Sequence, residues 1–235
     1  KLVTPETTYN DTGEVKIGPY VINNSDNKKH GIQTMTQVLE KSLNTGAIFV
    51  QQKLGRDAFR DSVERFGFGE KTGIDLAGET SGVLPSREWK RKHRRQVWFP
   101  GETLIAGIGQ GYMQVTPLQL ARAVATLANR GKRAQPRMVD RLMSADGTEY
   151  PNPNAAPEGE EFIQVKNASW HTVIQSMIDV VHGEYGTAKD ISHDLTYQIA
   201  GKTGTAQVFS IRQDEEYKES RVADKLKDHA WFIAF

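Results

Sequence analysis

Two short groups of polar residues in this sequence combine side chains that could carry out acyl transfer. The first is Ser42-Leu43-Asn44, in which a hydroxyl and a carboxamide lie two residues apart. If a turn holds both on one side, they offer a proton relay and an amide that can clamp a substrate amide. Serine and asparagine are also common in turns for backbone reasons alone, so an ordinary turn is the competing interpretation.

The second group is the run Lys202-Thr203-Gly204-Thr205-Ala206, which follows an apolar stretch at residues 197–200. On a strand, this run would present an ammonium group, two hydroxyls and a glycine as a flat polar ledge. Gly204 would let a ligand approach the backbone closely, and the hydroxyls of Thr203 and Thr205 could hold a carboxylate. An edge strand with ordinary exposed lysine and threonine side chains is the alternative interpretation.

The tripeptide of the second group occurs once more, at Lys71-Thr72-Gly73. This copy lies in a glycine-rich stretch directly after a predicted helix end, which is typical of a turn and offers no extended ledge. We therefore assign it a structural role. Only the copy at Lys202 is a candidate for chemistry.

Hydrophobic periodicity predicts the elements that must position these groups. Residues 1–30 are rich in loop- and turn-forming residues, with one short strand at residues 15–22. Residues 33–54 have helical periodicity that is interrupted at residues 42–46, which predicts two helices with a tight connection. Further helices are predicted at residues 56–66, from Pro117 to a stop at Gly131, and at residues 168–181. Further strands are predicted at residues 197–200, 206–209 and 230–235.

The order of these elements predicts an α+β fold with an antiparallel sheet, because helices fill the middle of the chain and strands lie at its end. The 30 Lys and Arg residues nearly balance the 29 Asp and Glu residues, so we expect no nucleic-acid partner. There is no cysteine, which excludes disulfides and thiolate chemistry. The six histidines follow no metal-ligand spacing, and we predict neither a metal nor a cofactor.

The order Ser-x-Asn and then Lys-Thr-Gly, far apart in the chain, resembles the serine penicillin-recognising enzymes. Further motifs extend the resemblance over nearly the whole chain to the class B penicillin-binding proteins. They are Pro5-Glu6-Thr7-Thr8-Tyr9, Phe66-Gly67-Phe68-Gly69, Thr72-Gly73-Ile74-Asp75-Leu76, and Gly107-Ile108-Gly109-Gln110-Gly111-Tyr112 running into Val115-Thr116-Pro117-Leu118-Gln119. Within that family, two segments are most similar to the cell-elongation type, penicillin-binding protein 2. These are Leu84-Pro85-Ser86-Arg87-Glu88-Trp89-Lys90 and Asp228-His229.

This resemblance implies the penicilloyl-serine transferase fold, in which an antiparallel sheet lies between helical layers. It also implies D,D-transpeptidase activity on peptidoglycan stem peptides ending in D-Ala-D-Ala. A serine would attack the D-Ala-D-Ala carbonyl, D-Ala would leave, and an amine of a neighbouring stem peptide would take the acyl group. Beta-lactams would mimic D-Ala-D-Ala and stall the acyl-enzyme.

The resemblance further implies a location and a partner. The implied location is the periplasmic face of the bacterial inner membrane, with an N-terminal anchor that is not in this chain. The implied protein partner is a membrane glycosyltransferase of the elongation machinery. Both expectations come from the family and from no pattern in the residues themselves.

The same resemblance assigns roles to the two polar groups. Ser42 would relay a proton to or from the leaving group, Asn44 would bind the substrate amide, and Lys202 would supply positive potential and assist Ser42. The hydroxyls of Thr203 and Thr205 would bind the terminal carboxylate, and the Thr205 N–H would form half of an oxyanion hole. The implied site residues are Ser42, Asn44 and Lys202 as catalytic residues, and Thr203, Gly204 and Thr205 as substrate-binding residues.

The nucleophile of the family belongs to a Ser-x-x-Lys motif at the start of an apolar helix. The sequence holds one formal match, Ser25-Asp26-Asn27-Lys28, which is too polar for such a helix and follows the Pro5–Tyr9 motif instead of preceding it. We therefore predict that Ser25 is not the nucleophile. We expect residues 1–235 to be a partial transpeptidase domain without the Ser-x-x-Lys helix and the last strands, and to be inactive alone.

Other functions remain open at this point. A D,D-carboxypeptidase or a beta-lactamase would use the same residues with water as the acceptor. A non-catalytic penicillin-sensing or scaffold domain would need no nucleophile at all. The basic run at residues 90–95 is most simply a solvated loop, with contact to an anionic cell-wall strand or a partner protein as the alternative.

Overall fold

Helices and antiparallel strand pairs make up the described part of the chain, which comprises residues 2–18, 20–152, 162–207 and 227–235 of a computed structural model. The helices are α1 (Met35–Glu40), α2 (Asn44–Leu54), α3 (Arg56–Arg65), α4 (Arg87–Arg94), α5 (Pro100–Ala106), α6 (Pro117–Ala128) and α7 (Asn167–His182), with a 3-10 helix at Lys189–Ser192. The strands are β1 (Thr8–Asp11), β2 (Glu14–Ile17), β3 (Tyr20–Asn23), β4 (Gly31–Thr34), β5 (Arg141–Met143), β6 (Glu149–Pro151), β7 (Gly201–Ala206) and β8 (His229–Ala234). The predicted α+β class is confirmed.

The N-terminal region contains more strand than its composition predicted. Strand β1 pairs with β4, and β2 pairs with β3, both antiparallel. The single strand predicted at residues 15–22 is wrong, because the chain reverses between β2 and β3. Gly18 has a φ of 58° in that reversal, a left-handed conformation that glycine adopts without steric cost.

The two helices predicted within residues 33–54 are confirmed as α1 and α2. The side chain of Thr34 caps α1, and Gln37 completes a reciprocal capping box. The break is narrower than predicted, because the extended Leu43 already caps α2 and helix resumes at Asn44. Ser42 therefore lies in a very short turn between two helices.

The other predicted helices are confirmed as α3, α6 and α7. Thr116 caps α6, its hydroxyl accepts a hydrogen bond from Gln119 N at 3.1 Å, and Pro117 is the first helical residue, as expected from the sequence. Helices α4 and α5 were not predicted. The interpretation of residues 90–95 as a loop is wrong, since α4 extends to Arg94.

A buried ion pair explains why the basic run folds as a helix. Lys90 is only 1% exposed, and its Nζ donates to Glu102 Oε1 on α5 at 2.5 Å. The same ammonium group lies 4.4 Å from the centre of the Phe99 ring. One lysine of the run thus joins α4 to α5, while the flanking basic side chains remain exposed.

The C-terminal strand pair contains the Lys-Thr-Gly sequence. Strand β7 pairs antiparallel with β8, with Lys202 opposite Ile233 and Thr205 opposite Ala230. The strand predicted at residues 230–235 is confirmed. The strand predicted at residues 197–200 is wrong. Within that segment, only Ala200 forms strand-like backbone hydrogen bonds, which it exchanges with Phe235 at the end of β8.

Of the strand predicted at residues 206–209, only the first residue lies in a described strand. Ala206 is the last residue of β7. Residues 208 and 209 lie outside the described residues. Lys202, Thr203 and Gly204 therefore lie within β7 itself.

Helix α7 connects the strand pair to the Ser-x-Asn region. Its residues Val180 and Val181 are fully buried and pack with Ala188 and Ile199. Helix α7 contacts both α1 and β7, and α6 contacts β8. This packing brings the end of α1 next to the start of β7. Within the described ranges, every helix is too short or too polar to cross a membrane.

Candidate active site

Ser42 and Lys202 meet in the structure although they lie 160 positions apart in the chain. Lys202 Nζ donates a hydrogen bond to Ser42 Oγ at 2.6 Å and another to the Thr203 carbonyl oxygen at 3.0 Å. Burial lowers the pKa of Lys202 from 10.5 to about 8, because desolvation disfavours the charged form. An amine that titrates near neutral pH can donate to a hydroxyl and also exchange a proton with it.

The turn that carries Ser42 has an unusual backbone. Ser42 has a φ of 56°, which is uncommon for a residue with a side chain. The next residue, Leu43, is 2% exposed and packs with Val38 and Tyr9, and its N–H donates to the Val38 carbonyl at 3.0 Å. The buried leucine thus anchors the turn. A conformation of this kind persists only where the surrounding structure imposes it, and such residues cluster at functional sites.

A buried carboxylate fixes the first turn of α2, directly after Ser42. Asp11 is 1% exposed, and its Oδ1 accepts hydrogen bonds from Thr45 Oγ1 at 2.7 Å, Gly13 N at 3.0 Å and Asn24 Nδ2 at 3.1 Å. Its Oδ2 accepts from Asn24 Nδ2 at 2.9 Å and His30 N at 3.1 Å. Burial alone would raise the pKa of Asp11, but these hydrogen bonds, led by that of Thr45, lower it below the usual value.

Sequence reasoning missed Asp11. An aspartate at the end of a short strand, two residues before Gly13, looks like an ordinary turn residue. Its partners come from three separate segments, and no local sequence pattern predicts such contacts. The network ties β1, the β3–β4 connection and α2 together, and α2 begins two residues after Ser42.

Asn44 is placed differently from Ser42. Its Nδ2 donates to the Asn23 carbonyl at 2.9 Å, at the end of β3. This bond orients the amide, while the side chain makes no direct hydrogen bond with Ser42 or Lys202. The structure therefore brings together Ser42 and Lys202, and holds Asn44 at the adjacent start of α2.

The residues after Lys202 alternate across β7. Because successive side chains of a strand point to opposite faces, Thr203 and Thr205 share one face, and Gly204 lies on the other. The predicted flat ledge is thus divided between two faces. A Cβ on Gly204 would lie 3.8 Å from Trp231 Cβ, an ordinary contact, so protein packing does not require glycine there.

Thr203 has a partner that the sequence did not indicate. Its Oγ1 lies 2.8 Å from Thr187 Oγ1, in the connection after α7. Thr205 is exposed on the same face of the strand. Among the described residues, β7 pairs with β8 alone, so its other edge forms no strand pair there.

The second Lys-Thr-Gly copy and the formal Ser-x-x-Lys match lie in loops. Thr72 is buried, and Glu79 Oε1 accepts hydrogen bonds from its N–H at 2.7 Å and its hydroxyl at 2.5 Å, which confirms a structural role. Ser25 lies in an exposed turn and not on a helix. In the described ranges, no three His, Asp or Glu side chains are grouped as metal ligands.

Comparisons with known proteins agree with this geometry. The family described as penicillin binding protein transpeptidase domain matches residues 1–235. The peptidoglycan D,D-transpeptidase MrdA of Haemophilus influenzae is 36% identical over 241 residues, covering 100% of this chain and 36% of that protein.

Two solved structures are also similar to this chain. One is Pseudomonas aeruginosa PBP2 in complex with WCK 5153, which is 38% identical with a TM-score of 0.81. The match covers 100% of this chain and 48% of the PBP2 chain. The other is Helicobacter pylori PBP2 in complex with MreC, which is 26% identical with a TM-score of 0.79. That match covers 99% of this chain and 39% of the solved chain. The chain therefore spans between a third and a half of the length of these proteins.

Proposed function

Because the chain belongs to the penicillin-binding protein transpeptidase domain family and has the penicilloyl-serine transferase fold, we propose that it acts as a peptidoglycan D,D-transpeptidase domain of the elongation type. The observation that carries this proposal is the 2.6 Å hydrogen bond from Lys202 to Ser42. It joins the two polar groups that acyl transfer requires. Its substrates would be stem peptides ending in D-Ala-D-Ala, and beta-lactams would acylate the same site.

In this proposal, Ser42 and Lys202 act as one proton-transfer unit. Ser42 carries a proton to the leaving group, and the neighbouring ammonium group of Lys202 supplies that proton and positive potential. The lowered pKa of Lys202 supports the role, since its two protonation states differ little in free energy near pH 8. The fixed turn around Ser42 supports it as well, because a preorganised relay needs no rearrangement during the reaction.

The substrate would bind along β7 as an additional extended strand. The open edge of β7 would pair with the peptide backbone, and Asn44 would clamp a substrate amide from the opposite side. Thr203 and Thr205 would bind the terminal carboxylate, and the Thr205 N–H would donate to the developing oxyanion. The space beside Gly204 supports a close approach of the ligand to this strand.

The nucleophile, in our proposal, lies outside Lys1–Phe235. The support is that Ser25-Asp26-Asn27-Lys28 is the single Ser-x-x-Lys in the sequence and occupies an exposed turn. A serine nucleophile needs a neighbouring base held in hydrogen-bond geometry, and an exposed turn does not provide one. Residues 1–235 would then be a partial domain that supplies the proton relay and the substrate strand.

Labelling with a fluorescent penicillin tests both the function and the position of the nucleophile. We expect the full-length protein to label covalently, and Ser25→Ala in that protein to label at the same rate. The polypeptide of residues 1–235 alone should not label. Absence of labelling in the full-length protein would refute the proposed function, whereas loss of labelling on Ser25→Ala would identify Ser25 as the nucleophile.

The cellular setting is a further part of the proposal. The Helicobacter pylori relative was solved as a complex with MreC, and we infer that this protein joins a comparable elongation assembly that includes a membrane glycosyltransferase. Its substrate would place the domain on the periplasmic face of the inner membrane, held by an N-terminal anchor outside this chain.

A further inference from the structure

We propose that Thr187 is a positioning residue that prepares Thr203 to bind the substrate carboxylate. This inference rests on the proposed function and adds a residue outside the two polar groups. The Oγ1 atoms of Thr187 and Thr203 are 2.8 Å apart, a normal distance for a hydrogen bond between hydroxyls. Thr187 lies in the segment of residues 183–188, here called the α7 loop, which connects α7 to the 3-10 helix.

The chemistry follows from the single proton of a hydroxyl. A threonine hydroxyl donates one hydrogen bond and can accept two. If Thr187 donates to Thr203, the proton of Thr203 is free to be donated to a carboxylate oxygen. A carboxylate accepts only, so this direction is the one that a bound substrate favours. The two hydroxyls then form a short chain in which each bond polarises the other.

The residues on either side of Thr187 are closely packed. Ala188, the next residue, is buried against Val180 and Val181, and its N–H donates to the Val180 carbonyl at 3.0 Å. Gly186, the preceding residue, is packed so closely that a Cβ would lie 2.3 Å from the Val180 carbonyl oxygen. Both neighbours of Thr187 are therefore tightly packed, which constrains the backbone that carries its hydroxyl.

The same loop contacts both halves of the site. Tyr185 N donates to Glu40 Oε1 at 3.0 Å, and Lys41 Nζ lies 4.4 Å from the centre of the Tyr185 ring. Both contacts reach the end of α1, immediately before Ser42. At the base of the loop, Ile199 N donates to His182 Nε2 at 3.0 Å, three residues before Lys202. The α7 loop thus links the end of α1, through Tyr185, to β7, through Thr187.

A purely local role for the Thr187 hydroxyl does not fit its contacts. Threonine near the start of a helix often caps that helix. Here the residue at the N-cap of the 3-10 helix is Ala188, and no side-chain cap bond forms. The hydroxyl instead reaches across to a residue 16 positions later in the chain.

A pair of substrates separates this role from general stability. In the full-length protein, acylation would be measured with a thioester of a D-Ala-type donor whose leaving group ends in a free carboxylate, and with its carboxamide analogue. We expect Thr187→Val to lower kcat/KM for the carboxylate substrate by about tenfold, mainly through KM, because Thr203 loses the hydroxyl that orients it and its hydrogen bond to the charged carboxylate is weakened. The carboxamide substrate should be little affected, and Thr187→Ser should restore the wild-type value.

Thr172→Val is the matched control, because it removes an exposed α7 hydroxyl that bonds only within its own helix, to Ala168 O. Equal losses of Thr187→Val on both substrates would indicate a structural role and overturn the inference, as would no loss on either. If the wild-type protein is acylated by none of the three reagents (the two substrates and a fluorescent penicillin), the proposed function itself fails. The two failures are thus distinguishable.

Discussion

Replacing Lys202 with alanine in the full-length protein is expected to slow acylation by a fluorescent penicillin by about a hundredfold to ten-thousandfold, the range typical of a general acid–base group. The variant removes the donor that lies 2.6 Å from Ser42 Oγ, and it removes a positive charge from β7, the strand that we propose binds the substrate carboxylate. Pseudo-first-order labelling rates, followed by gel fluorescence, measure the effect directly.

Two further variants define what the lysine supplies. Lys202→Arg keeps a positive charge but cannot exchange a proton near neutral pH, so it should remain strongly impaired. Lys53→Ala removes an exposed lysine from α2, the helix that starts just after Ser42, and should label like the wild type. A wild-type rate for Lys202→Ala would exclude Lys202 from the mechanism.

The pH profile of acylation gives an independent test of the same residue. Because the pKa of Lys202 is lowered to about 8, its ammonium form dominates below that pH and is lost above it. If the charged form is the working one, the acylation rate should fall as the pH rises through about 8, and Lys202→Ala should lack that step. A rate that increases through the same range would mean that the neutral amine acts as a base.

Replacing Asp11 with alanine is expected to lower the free energy of unfolding by about 3–5 kcal/mol, because several buried neutral donors lose a charged acceptor at once. The change removes the charged acceptor of two backbone N–H groups, and it leaves Thr45 Oγ1 and Asn24 Nδ2 with their longer bonds to Asn24 Oδ1 and the Lys28 carbonyl, both at 3.2 Å. Chemical denaturation of the full-length protein measures this effect. Asp61→Ala, on the exposed surface of α3, is the matched control and should change stability little.

The Asp11 carboxylate should also make stability depend on pH in acid. Its pKa is lower in the folded state than the usual 3.8, so its contribution is fully present above 3.8 and is lost as the pH falls through the folded value. The stability difference between the wild type and Asp11→Asn should therefore shrink below pH 3.8. A difference that stays constant down to the acid limit would show that the charge of Asp11 is not what stabilises the network.

The helical framework around the site was predictable from sequence because its signals are local. Thr116-Pro117 marks the start of α6, and the polar interruption near Ser42 marks the break between α1 and α2. Helix α4 was missed because six consecutive basic or polar residues look solvated. Its one buried lysine, Lys90, pairs with Glu102 twelve positions later, a contact that hydrophobic periodicity does not reveal.

The site itself was predictable only in part. The residue types at Ser42 and Lys202 were compatible with acyl transfer, but an ordinary turn and an edge strand were the favoured interpretations until the family resemblance was considered. Asp11 and Thr187 were not identified at all, since each acts through a partner far along the chain, Thr45 and Thr203 respectively. Long-range hydrogen bonds of this kind leave no spacing rule in a single sequence.

Product analysis tests the proposed transpeptidase function most directly. The full-length protein would be incubated with a donor stem peptide ending in D-Ala-D-Ala and an isotope-labelled stem peptide carrying a free amine, and mass spectrometry would quantify the products. We expect a cross-linked dimer and free D-Ala in equal amounts, both abolished by prior treatment with penicillin. Release of D-Ala with hydrolysed donor and no dimer would identify a D,D-carboxypeptidase, and penicillin binding without any product would identify a sensing or scaffold domain; either result would contradict the proposal.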